Sequence, residues 1–203
     1  MKKKELEMLL EKVRPFAEPD PRLEQYPTPA VIAADITYSA YAAGDIEGMK
    51  VLDLGCGTGM FSVAAALLGA GAVVGYDISE KALSIAEQNA RNLGLSITFK
   101  QSDIRDVEEG ADTVLMNPPF GSQNRNADRP FLEKALELAK PGGMIHYHDT
   151  FPTGQQERCV NDIFSKACGS DYRIERIIEV KSFAPSVSHY VADVRVFPSD
   201  RFA

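Results

Sequence analysis

The turn Asp53-Leu54-Gly55-Cys56-Gly57-Thr58-Gly59 joins an apolar run, Met49 to Leu54, to a stretch with helical spacing, Thr58 to Leu68. A strand that passes through closely spaced glycines straight into a helix lets a ligand approach the backbone at the helix's free amides. Open α/β sheets hold nucleotides this way, at the carboxyl ends of their strands. Asp77 ends the next apolar run, Ala72 to Tyr76, about 20 residues beyond the turn, where a carboxylate can accept both hydroxyls of a ribose. The spacing is Gly-x-Gly-x-Gly and lacks the later glycine of the dinucleotide fingerprint, which argues against a nicotinamide dinucleotide.

Around this turn, strand and helix signals alternate. Leu6, Leu9, Leu10 and Val13 give a first helix from Lys3 to Val13, stopped by Pro15, Pro19 and Pro21. Thr28 is placed to cap a second helix, with Pro29 in its first turn, running to about Ala43. Beyond Asp77 a helix is expected from Ser79 to Asn92, capped by Ser79 and closed by Gly94, then a strand near Ile97 to Gln101. A strand ending at Asn117, a helix from about Pro130 to Ala139 and a strand from Met144 to Asp149 follow. The tail changes period: Tyr172 to Val180 and Tyr190 to Phe197 alternate apolar and polar residues, as an antiparallel hairpin would. The expected fold class is α/β, a mostly parallel sheet with helices on both faces. Residues 1–27 form a helix and extended arm packed on the core, and residues 28–203 the α/β domain.

Asn117-Pro118-Pro119-Phe120 follows the buried run Asp112 to Met116. Two prolines fix their own φ angles and remove two backbone donors, so the Asn117 amide oxygen and the Pro118 carbonyl can both point outward. Such a pair accepts both hydrogens of an NH2 group. Phe120 is placed to stack on a flat heterocycle, which is worth roughly 1–3 kcal/mol for a base on an aromatic ring. The four residues read as a clamp for a planar amine. A neutral amide suits this better than a carboxylate, because it accepts hydrogen bonds without titrating near neutral pH.

Composition sets limits on the surroundings. The chain of 203 residues fits one domain. Cys56, Cys159 and Cys168 are odd in number and form no C-x-x-C pair, which fits a reducing compartment and argues against a disulfide framework. The opening Lys2-Lys3-Lys4 leads into acids and leucines rather than an apolar segment, so a cytoplasmic, non-membrane location is expected. A net charge of −7 repels polyanions over the surface as a whole, and a nucleic-acid substrate would need a local basic rim or a partner. Arg125, Arg129 and Lys181 are candidates for that rim. His146 and His148 share one strand face beside Asp149, but two ligands without a third do not make a metal site, and none is expected.

In this order, the glycine turn, Asp77, Ser102-Asp103-Ile104 and Asn117-Pro118-Pro119-Phe120 resemble the class I S-adenosylmethionine-dependent methyltransferases, over about residues 28 to 203. The resemblance implies a Rossmann-like, seven-stranded, mostly parallel sheet with an antiparallel C-terminal hairpin. It also implies S-adenosylmethionine as cofactor, with Asp53, Gly55, Gly57 and Thr58 at its methionine part, Asp77 and Ile78 at the ribose, and Asp103 and Ile104 at the adenine. A narrower similarity joins Leu23 to Pro29 and Asn117 to Asn124 to the archaeal and eukaryotic family that methylates adenine N6 in small-subunit ribosomal RNA. By that similarity Gln25 and Thr28 line the cofactor pocket, His189 belongs to a C-terminal stretch near the substrate, and a small zinc-binding activator protein is a partner. Rival readings are methylation of a protein glutamine amide, methylation of adenine in DNA, and a non-catalytic scaffold that keeps the fold.

Overall fold

Val51 and Leu52 are both fully buried neighbours on one strand, so their side chains face opposite sides of a sheet and each side needs its own cover. The computed structural model describes residues 1–118, 127–167, 172–184 and 186–197, with the side chains of residues 166–167 and 181–184 outside the description. Its elements are α1 (Lys3–Leu10), α2 (Ala30–Ala42), β1 (Lys50–Leu54), α3 (Met60–Leu67), β2 (Ala72–Asp77), α4 (Glu80–Asn92) and β3 (Thr98–Gln101). They continue as β4 (Ala111–Met116), α5 (Arg129–Leu138), β5 (Ala139–Pro152), α6 (Gln156–Ala167), β6 (Tyr172–Ala184) and β7 (Val187–Val196).

The strands form one seven-stranded sheet in the order β3-β2-β1-β4-β5-β7-β6. The first five are parallel, and β7 lies antiparallel between β5 and β6. A short link from Ala184 to Val187 allows only an antiparallel return, which is why the tail pairs as a hairpin. This is the expected Rossmann-like α/β fold. After β3 the chain crosses back to the far side of β1 to lay down β4. The crevice at the carboxyl ends of β1 and β4 is therefore the switch point where ligands of such sheets bind.

On one face Leu6, Leu10 and Val13 pack with Ile32 and Ile36 of α2, Phe61 and Val63 of α3, and Val51, Val73, Leu115 and Val191 of the sheet. On the other face, Leu132 and Leu136 of α5 and Val160 and Phe164 of α6 cover Leu54, Met116, Ile145, Tyr147 and Val194. The N-terminal helix is thus part of a core layer. Leu10→Ala is expected to cost about 2–5 kcal/mol, seen as a lower urea midpoint at unchanged m-value. A midpoint equal to wild type would show α1 to be an appendage.

Several boundaries differ from the sequence expectation. The first helix stops at Leu10, although Val13 remains buried. Thr28 does not cap α2. Pro29 occupies the N-cap and has no side-chain acceptor, while the Thr28 hydroxyl takes a hydrogen bond from Asn117. Helix α3 begins at Met60 rather than Thr58, because Gly59 sits in the left-handed region (φ 84°). Strand β5 runs well beyond both ends of Met144 to Asp149, and β6 continues past Val180. Helix α6 is absent from the expectation above. Ser79 does cap α4, its hydroxyl accepting from Ala82 N at 3.3 Å, and Gly94 closes it at φ 68°. Among the described residues no helix is long and apolar enough to cross a membrane.

Candidate active site

Gly55 and Gly57 have φ of 73° and 55°, a region that L side chains rarely adopt. A Cβ on Gly55 would lie 2.9 Å from the Phe131 ring, and one on Gly57 2.9 Å from the Phe16 ring. Two aromatic rings therefore rest directly on the turn and leave no room for any residue but glycine. The turn is tied to the neighbouring strand: the Gly55 and Cys56 amides donate to the Tyr76 carbonyl at 2.8 and 2.9 Å, and the Gly57 amide donates to Asp77 Oδ2 at 2.8 Å.

Asp77 Oδ1 accepts from the Ser79 amide at 2.8 Å, so each carboxylate oxygen takes one backbone donor and keeps capacity for another. Burial raises the Asp77 carboxyl above its ordinary range, opposed by those amides. Asp103 is instead held by Arg105, whose Nε and Nη2 donate to its two oxygens at 2.9 and 2.6 Å. That pairing keeps the Asp103 carboxyl well below the usual range and ionised.

Asp53 departs from the expectation of a cofactor contact. It is 1% exposed and does not line the cleft. Its Oδ2 accepts from the Ser62 amide at 2.8 Å and from the Ser62 hydroxyl at 2.6 Å, which braces the turn against the start of α3. Among the described residues its Oδ1 has no hydrogen-bond partner. Burial pushes the carboxyl up to about 7, partly offset by the Ser62 donors. A carboxyl whose pKa is higher folded than unfolded favours folding in acid and loses that advantage as pH rises from about 4 to about 7. The stability difference between wild type and Asp53→Asn is therefore expected to move by a few kcal/mol toward wild type as pH falls through that window. Denaturant midpoints of both proteins at several pH values test this, and parallel profiles would contradict it.

The cleft between these groups measures about 460 Å³, the size of a small-molecule site. Gln25, Thr28, Gly55, Gly57, Thr58, Asp77, Ile78, Asp103, Ile104, Asn117 and Pro118 all line it. Ile78, 53% exposed, and Ile104 offer apolar walls to a flat ring. Phe16 and residues 22–28 close one side, where the sequence reading names only Gln25 and Thr28 as lining residues. Asn89 anchors this arm: its Oδ1 accepts from the Arg14 amide at 2.9 Å, and its Nδ2 donates to the Arg14 and Thr58 carbonyls. Glu24 takes a left-handed turn (φ 49°), after which Gln25 folds back so that its Oε1 accepts from the Asp20 amide at 2.9 Å. The Gln25 NH2 is the end left to meet a ligand.

Asn117 follows β4, and its side-chain amide is held at both ends. Nδ2 donates to Thr28 Oγ1 at 3.2 Å, and Oδ1 lies 3.0 Å from His148 Nδ1. His148 is 2% exposed, and burial pushes its imidazole down to about 3, so it is neutral near pH 7. The sequence reading gives His148 no part in the clamp; the structure brings it there because Met116, the last residue of β4, pairs with Tyr147, so the residues that follow each, Asn117 and His148, leave the same end of the sheet. His189 reaches His148, its Nδ1 3.3 Å from His148 Nε2. His146 turns to Asp193 at 2.6 Å. Among the described residues no group of three or more His, Cys, Asp or Glu side chains is set to hold a metal. Arg129 does not line the cleft and pairs with Glu133 at 2.8 Å. Pro119, Phe120 and Arg125, and the Lys181 side chain, lie outside the described residues.

Comparison with known proteins places a methyltransferase domain over residues 45–171. The rRNA N(6)-adenosine-methyltransferase METTL5 of Danio rerio is 40% identical over 169 residues, 80% of this chain and 81% of that protein. An uncharacterized Methanocaldococcus jannaschii protein is 39% identical over 165 residues, 75% of this chain and 73% of its own. Among solved structures, a candidate RNA methyltransferase from Pyrococcus horikoshii superposes with a TM-score of 0.85 at 30% identity, covering 97% of this chain and 98% of its own.

Proposed function

The chain belongs to the methyltransferase domain family, and from that membership we propose that it methylates the exocyclic N6 amine of adenine in structured RNA, that of the small ribosomal subunit, with S-adenosylmethionine as donor. The observation that carries this reading is Asn117, a neutral amide fixed between Thr28 and His148 at the wall of a nucleoside-sized cleft.

The residues fit the cofactor. Gly55 and Gly57 line the cleft with backbone alone, Asp77 keeps acceptor capacity for two ribose hydroxyls, and Ile78 and Ile104 offer apolar walls for an adenine near Asp103. When bound, S-adenosylmethionine supplies an electrophilic methyl group on a sulfonium. The protein's own work is positioning and electrostatics. An exocyclic adenine amine is a poor nucleophile because its lone pair is delocalised into the ring. The Asn117 amide oxygen and the Pro118 carbonyl, accepting its two N–H bonds, favour the pyramidal amine with its lone pair directed away from the ring. No strong base is required, and Phe120 is assigned the stacking face of the clamp.

A base in structured RNA must also leave its stack, at a cost of a few kcal/mol. With a net charge of −7, the chain is assigned a cytoplasmic partner that adds positive surface, a small zinc-binding activator protein. The direct test supplies radiolabelled S-adenosylmethionine together with small ribosomal subunits, protein extract or duplex DNA. Label in the RNA fraction is the expected result. Label in protein alone transfers the assignment to a glutamine amide, label in DNA to the DNA enzyme, and cofactor binding without transfer to any of them counts against the reading.

A further inference from the structure

A carboxamide clamp works only if its oxygen, not its NH2, faces the incoming amine, and the two ends have almost the same shape. Something must tell them apart. The Thr28 hydroxyl on the Nδ2 side can donate or accept, so it is compatible with either orientation. His148 on the other side is not. Its ring is enclosed and neutral, so one nitrogen donates and the other accepts. His189 Nδ1, 3.3 Å from His148 Nε2, meets it across rings inclined by only 11° with centroids 5.3 Å apart. If His189 donates there, His148 Nε2 is the acceptor and its hydrogen resides on Nδ1, aimed at Asn117. A flipped amide would then set two donors against each other at 3.0 Å, a repulsive contact in place of a hydrogen bond.

We propose that His148, held in its tautomer by His189, is a positioning residue that fixes the Asn117 carboxamide with its oxygen as the acceptor of the substrate amine. The inference rests on the reading of Asn117 as the amine clamp. The hydrogen bonds run in one direction, from His189 to His148, from His148 to Asn117 Oδ1, and from Asn117 Nδ2 to Thr28. One of the two acceptor positions on Oδ1 is used by His148, and the second receives the amine hydrogen. The strand register holds this arrangement: Met116 pairs with Tyr147 across β4 and β5, and Thr150 with His189 across β5 and β7, so His148 and His189 rise from the sheet and Asn117 from the residue that follows β4.

Asn and Leu have nearly the same shape, and only Asn can offer a donor where His148 has its Nδ1–H. The wild type, His148→Asn and His148→Leu are compared for kcat and KM on small ribosomal subunits, for S-adenosylmethionine Kd by calorimetry, and for Tm. The expected result is that His148→Leu loses about 100-fold in kcat, the range seen when a single aimed donor is removed, at unchanged cofactor Kd, whereas His148→Asn stays within about tenfold of wild type. The proposal is overturned if His148→Leu keeps a kcat within about threefold of wild type, or if His148→Asn falls as far as His148→Leu. Should His148→Leu fail to fold, the half-buried His189 carries the test: His189→Phe is expected to lower kcat about tenfold at unchanged cofactor Kd, and an unchanged kcat overturns the proposal. A wild type that binds cofactor yet leaves RNA adenine unmethylated would sink the clamp reading itself, an outcome visible before any variant is made.

Discussion

Asn117→Ala is expected to lower turnover about a thousandfold while cofactor Kd stays within a factor of a few, because the lost group acts on the amine and not on the nucleoside of the cofactor. The side chain is partly exposed at the end of β4, so its removal opens no core cavity. It leaves Thr28 and His148 without one partner each, a modest structural cost of about 1 kcal/mol per hydrogen bond. Asn117→Asp is expected to be nearly as poor. The acid keeps the shape, but it would place a carboxylate charge beside a buried neutral imidazole. Kinetics and calorimetry on the same preparations separate the two effects, and a Kd that rises in step with the loss of turnover would show Asn117 to be a cofactor-binding residue instead.

Asp77→Ala is expected to have the opposite signature. Its carboxylate organises the glycine turn through the Gly57 amide and the start of α4 through the Ser79 amide, besides being the assigned ribose acceptor. Two hydrogen bonds to a charged group, at about 1.5–3 kcal/mol each, convert to a loss of cofactor affinity of about 100-fold or more. Calorimetric titration with S-adenosylmethionine reads this directly. An affinity within threefold of wild type would mean that the ribose lies elsewhere and that Asp77 only braces the loop. Asp77→Asn should fall between the two, since an amide keeps one oxygen for the Gly57 amide but turns an NH2 toward the Ser79 amide.

The features legible in the sequence were those whose cause lies within a few residues. Glycines at forced positive φ, an acid at the end of β2, a serine cap at Ser79 and a proline stop after the first helix are each local decisions of the chain. What was missed depends on distant partners. Thr28 looked like a helix cap and lost that role because Asn117, far along the chain, donates to its hydroxyl. Asp53 was expected at the cofactor, yet its carboxylate is held by Ser62 in the first turn of α3. Helix α6 carries Val160 and Phe164 at helical spacing, and its amphipathic pattern is plain once its face is seen against α5 and β5. Phe16 and Phe131 seat on the glycine turn only because the arm and α5 converge there, which no spacing in the sequence announces.

The measurement that tests the central claim most directly is the chemical identity of the methylated nucleoside. Small ribosomal subunits are incubated with the protein and isotopically labelled S-adenosylmethionine, and their RNA is digested to nucleosides and separated by chromatography with mass detection. The account predicts label in N6-methyladenosine from wild type and its loss with Asn117→Ala. Label on a ring nitrogen or on a ribose 2′-oxygen would contradict it, because a clamp of two acceptors recognises an NH2 group and offers nothing to those positions, and label on the exocyclic amine of cytosine or guanine would contradict the assignment to adenine.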